Sequence, residues 1–172
     1  MNGYSKFLFS LFLSGLTVLS AQATDVTINI NGRVIASPCT VDGAQSVNVD
    51  LGQNIEAASL STAGSSSEWS SFNLNLKNCP ASTSNVTATF SGTADSTSPN
   101  YYRNTGTATG VAVQLFKANS STSLGNGSTF VSAVNATAHT ATFPLAARAY
   151  TATGNVMPGT IASVVQVTFT YQ

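Results

Sequence analysis

Charge is what this sequence has least of. Charged side chains make up 7% of the 172 residues, against about 25% in an ordinary globular chain. Six basic side chains balance six acidic ones, so there is no net field to draw in nucleic acid or an anionic membrane surface. Histidine occurs once, as His139, and cysteine twice, as Cys39 and Cys79. That inventory leaves too few ligands for a tetrahedral metal set. Sustained helical periodicity is missing too, which excludes helical repeat arrays. What replaces charge is hydroxyl: 24 Ser and 23 Thr, alongside an apolar fraction of 42% that is enough to fill a core. A Ser/Thr/Val-rich chain of this kind favours β structure, with hydroxyls satisfying the surface.

The start of the chain reads as an address rather than as fold. Lys6 precedes the apolar run from Phe7 to Leu19, and Ala21-Gln22-Ala23 supplies small residues at the cleavage positions. This is a secretory signal peptide over 1–23, removed after Ala23. The run is shorter than the roughly 18 residues of a membrane span and is broken by Ser10, Ser14 and Gly15. An exported chain meets an oxidising compartment, so Cys39 and Cys79 are expected to pair. Closing a loop of this length contributes about 4 kcal/mol in the chain-entropy model.

Short alternating segments fill the remainder: Val26 to Val34, Val47 to Leu51, Phe72 to Leu76, Val86 to Phe90, Val111 to Phe116, His139 to Leu145, Ala147 to Thr151 and Val165 to Tyr171. Turn-rich stretches at 62–67, 95–100, 119–128 and 154–159 separate several of them. This spacing predicts one β-sandwich domain, Ig-like in type.

Catalytic patterns are not evident. His139 lies in an alternating run without a nucleophile elbow anywhere in the chain, and the six acids do not cluster as a carboxylate pair. There is no phosphate loop or dinucleotide fingerprint. The expectation is a chain that is not an enzyme, with no cofactor and no metal. The two terminal alternating segments say more. Val26, Ile28, Ile30, Gly32 and Val34 share one face of the first, and Val165, Val167, Phe169 and Tyr171 share one face of the last. Each is readable as an ordinary half-buried strand. Asn31-Gly32 is also a hairpin signal, although Arg33-Val34-Ile35 carries the alternation past it.

The order of these features has a precedent. Signal peptide, alternating arm with a glycine inside it, Cys39, Cys79-Pro80, Phe143 to Tyr150, Gly154, Pro158-Gly159 and a final strand ending Tyr171-Gln172 together resemble a chaperone–usher pilin. The stretches Asp25 to Val34 and Phe90 to Asp95 are most similar to the G-type minor subunits of type 1 fimbriae. The resemblance implies an incomplete Ig-like sandwich lacking its final strand. A donor arm at 24–36 would precede a pilin domain at 37–172. Val26, Ile28, Ile30 and Val34 would insert into a neighbouring subunit, with Gly32 allowing close approach to the groove wall. Val165, Val167, Phe169 and Tyr171 would form the groove edge and the chaperone contact. Implied partners are a periplasmic chaperone, an outer-membrane usher and adjacent subunits, the tip adhesin among them. The implied location is a fimbria on the bacterial surface. The alternatives are a major rod pilin, with the same joining chemistry, and a receptor-binding adhesin, for whose extra lectin domain the chain is too short.

Overall fold

The computed structural model describes residues 26–35 and 37–172. The expected signal peptide over 1–23, together with Thr24, Asp25 and Ala36, lies outside the described residues. The chain divides between Arg33 and Val34. Residues 26–33 form no secondary structure and are solvent-exposed. From Val34 onward the chain builds a β-sandwich from eight strands: β1 Thr40–Val41, β2 Ser70–Lys77, β3 Asn85–Gly92, β4 Tyr102–Arg103, β5 Ala112–Lys117, β6 Thr129–Ala133, β7 Ala141–Tyr150 and β8 Val165–Tyr171. All pairings between them are antiparallel. One sheet runs β1-β2-β7-β5-β4 and the other β6-β3-β8.

Alternation decides which residues fill the space between the sheets. On β2, Leu74 and Leu76 face inward opposite Phe143 and Ala141 of β7. β7 is paired on both sides, so its inward residues Ala141, Phe143, Leu145, Ala147 and Ala149 are all buried. Phe143 connects the layers, with its ring 5.2 Å from Phe130 of β6 and 5.5 Å from Phe169 of β8, centroid to centroid. Val86, Ala88 and Phe90 of β3 close the core from the opposite sheet. On the outer face of β7, Arg148 donates from Nε to Gln114 at 2.7 Å and stacks 4.1 Å from the Trp69 ring centroid.

The structure corrects the strand reading in three places. Val47 to Leu51 alternates but forms no strand: Val47 is exposed, while Val49 and Leu51 rest partly buried against the core. The Ser70 hydroxyl holds this segment by donating to the Asp50 carbonyl at 2.6 Å. His139 belongs to a turn rather than to β7. It has φ 54°, and Cys79 donates its backbone N–H to the His139 carbonyl at 2.9 Å. Third, Pro144 does not divide two strands. It sits within β7, where its carbonyl accepts from Ala118 at 3.0 Å. Its nitrogen therefore faces the side on which β5 has already ended at Lys117, and no ladder bond is lost there. Strands β1, β4 and β6 and the 3-10 turn Ala57–Leu60 have no counterpart in the sequence reading.

Cys39 and Cys79 are bonded, as expected from an exported chain. Both are buried in the main core, so the link fixes the entry to β1 against the end of β2.

Candidate functional site

The sheet β6-β3-β8 ends on β8, which pairs with β3 and with no other strand among the described residues. The other sheet ends on β1. The two ends are neighbours, because the Tyr171 hydroxyl lies 3.5 Å from the Cys39 carbonyl one residue before β1. Between them the sandwich is open along one side.

Burial shows the opening. Register pairs Tyr171 with Val86, Phe169 with Ala88, Val167 with Phe90 and Val165 with Gly92. Val86, Ala88 and Phe90 have no accessible surface at all. Their β8 neighbours point into the same core, yet all four remain only partly buried. A strand with a partner on each side shields its inward face from both directions. β8 has shelter on one side only, so a hydrophobic strip and a row of backbone N–H and C=O groups stay available. Val49 and Leu51 pack partly buried against the same core. The alternation of Val47 to Leu51 predicts a strand, whereas the structure rests Val49 and Leu51 on the core without strand pairing. Burial also pushes the Tyr171 hydroxyl pKa upward, so the phenol remains neutral over the ordinary pH range.

At its far end β8 is held by close backbone approach. A Cβ on Gly92 would lie 2.9 Å from the Tyr102 ring and from the Val164 carbonyl, so only glycine lets Val165 pair there.

Residues 26–35 carry exposed aliphatic side chains. Val26 is 81% exposed, Ile30 91% and Val34 100%, with Ile28 and Ile35 similarly bare. A Cβ at Gly32 would meet nothing within 4 Å. Among the described residues, nothing occupies the place a Gly32 side chain would take.

The fimbrial protein family matches residues 28–172, nearly all of the described chain. This chain belongs to the fimbrial protein family. It is 44% identical to Protein FimG of Escherichia coli K12 over 156 residues, covering 91% of this chain and 90% of that one. Among solved structures, a Burkholderia pseudomallei antigen and type I fimbria protein is 33% identical, with a TM-score of 0.55, over 80% of this chain and 90% of that one. The P pilus rod subunit PapA matches 79% of this chain and all of its own at a TM-score of 0.65. At 18% identity it shows the shared fold. The pilin is therefore an incomplete Ig-like sandwich and a structural subunit of a fimbria. Fimbrial subunits of this kind are exported to the periplasm and assembled with other subunits on the cell surface by the chaperone–usher route.

Proposed function

We propose that this pilin joins its neighbours by strand donation, with residues 24–36 as donor arm and residues 37–172 as acceptor domain. Val26, Ile28, Ile30 and Val34 enter the open groove of the next subunit, and Gly32 passes where a side chain would hold the arm off the wall. Val165, Val167, Phe169 and Tyr171 line this subunit's own groove. They receive first a chaperone strand and then a neighbour's arm, which is β-strand addition in two successive forms. The role has no catalytic component. Its resemblance to G-type subunits, together with the FimG identity over nine-tenths of both chains, supports a minor subunit near the fibre tip.

The observation that carries this reading is the half-buried inward face of β8 beside the fully buried inward face of β3. Four aliphatic side chains at about 1.5–3 kcal/mol each give on the order of 6–12 kcal/mol gross for the joint. Main-chain hydrogen bonds to the free β8 edge add to that. A joint of this strength keeps a fibre together kinetically without a covalent link.

The test is self-complementation. A copy of the arm grafted after Gln172 through a short turn linker places donor and groove in one chain, at millimolar or higher effective concentration. The grafted chain, with residues 24–37 deleted, should be a soluble monomer with a much higher thermal midpoint than the arm-deleted chain alone. Equal midpoints would show a domain complete in itself and would overturn strand donation.

A further inference from the structure

Two Asn-Gly pairs lie among the described residues, and the structure places them in opposite circumstances. Asn126-Gly127 is locked. The Asn126 Oδ1 accepts from the Gly92 N–H at 3.1 Å, and the Gly127 N–H donates to the Phe90 carbonyl at 2.7 Å. Gly127 is held at φ +83° in a turn over 126–127. Asn31-Gly32 is free. Both residues are exposed, in a segment without secondary structure. No backbone hydrogen bond among the described residues engages them, and the space where a Gly32 Cβ would stand is empty to 4 Å.

That difference has a chemical consequence. Asparagine side chains are hydrolytically labile, and the reaction begins when the next residue's backbone nitrogen attacks the side-chain carbonyl carbon. Glycine removes the steric barrier to that approach and allows the backbone angles it needs. From these geometries we propose that Asn31 is a spontaneous modification site of the unassembled subunit, and that Asn126 is not. The Gly32 nitrogen bonds to the Asn31 Cγ, the Cγ–Nδ2 bond breaks, and ammonia leaves with the amide proton. Water then opens the five-membered imide at one carbonyl or the other, giving aspartate or isoaspartate. No oxidation or reduction occurs, and water is the only co-reactant.

The two products differ in effect, a consequence that rests on the donor-arm reading. Asn31 lies on the polar face with Thr27, Asn29 and Arg33, so an aspartate there leaves the inserted face intact. Isoaspartate routes the main chain through the side-chain methylene, adding one backbone atom between Ile30 and Val34. Those two residues then fall out of register with each other, and register decides which face enters a groove. Strand pairing holds the backbone extended, keeping the attacking nitrogen away from Cγ. The pair therefore limits how long an unpaired arm stays competent, and assembly stops the clock.

The test is peptide mapping by mass spectrometry of the purified exported chain, aged in mildly alkaline buffer, reading the mass gain of about one dalton at each asparagine. Asn31 should convert at least about tenfold faster than Asn126, and Gly32→Ala should slow Asn31 by about tenfold. Equal rates at the two sites, or no effect of Gly32→Ala, would overturn the proposal. In intact fimbriae Asn31 should be protected; conversion there at the free-chain rate would overturn the link to assembly. Capping of a neighbour should fall in step with isoaspartate content, while Asn31→Asp caps normally; loss of capping in Asn31→Asp would overturn the register argument. Failure of strand donation itself is read separately, by the unfolding midpoint of the grafted chain.

Discussion

β3 and β8 are adjacent strands of one sheet, similar in length and alternation, and joined over seven register pairs. β3 is covered on both edges, and its inward side chains have no exposed surface. β8 is covered on one, and its inward side chains at Val165, Val167, Phe169 and Tyr171 stay only partly buried. The residues of β8 are as apolar as those of β3, and Phe169 and Tyr171 are larger than Ala88 and Val86. What differs is the number of neighbours. Hydrophobic alternation thus specifies which face a strand turns toward a core. Whether that core is finished depends on the next strand along.

That contrast can be broken or sharpened in order of expected effect. A loss as large as any should come from the bond between Cys39, beside the end of β8, and Cys79. Cys39→Ala or Cys79→Ala is expected to cost about 4 kcal/mol, read as a lower urea midpoint, and to release the Cys39 carbonyl from Tyr171 at the end of β8. Next is the direct comparison. Phe90→Ala should cost about 3–5 kcal/mol, the range for a fully buried aromatic. Phe169→Ala should cost less, because part of its surface never left water. With the arm grafted after Gln172 the two costs should converge, and a persistent gap would mean that the graft does not cover β8.

A smaller effect is set by pH. Tyr102 lies against Gly92 at the end of β3, donates its hydroxyl to the Leu124 carbonyl at 2.8 Å, and is fully buried. Burial pushes its pKa from 10.0 to about 12. The folded protein therefore keeps a proton that the unfolded chain releases above pH 10. The stability from this group is complete below that value and is lost as pH rises toward about 12, amounting to about 2–3 kcal/mol. Alkaline unfolding of the Tyr102→Phe chain should lack that part of the slope. The smallest effect belongs to the outward face of β8. Thr168→Ala and Thr170→Ala should each change stability by less than about 0.5 kcal/mol; a larger loss would show that face to be covered.

Several features were legible in the sequence for physical reasons. Five of the eight strands follow segments of clear alternation, because a half-buried strand must repeat with period two. The disulfide followed from two cysteines in an exported chain. β6 was missed because Thr129 to Ala133 carries only Phe130 as a deeply buried residue, and β1 and β4 because two residues cannot display a period. Val47 to Leu51 misled in the other direction. Alternation there arises from Val49 and Leu51 resting on the core, without a partner strand to pair with.

By itself the sequence determined the β class, the cysteine bond and the inward faces of β2, β3 and β8. These depend on residue type and on spacing within a few positions, which is local information. Only the tertiary structure decided that β8 ends its sheet, that Tyr171 meets Cys39 across the opening, that Pro144 runs inside a paired strand, and that one Asn-Gly is clamped while the other is free. Each of these depends on which segments, tens of residues apart, come to lie side by side. An edge has no signature of its own in the sequence; it exists because no neighbour arrives.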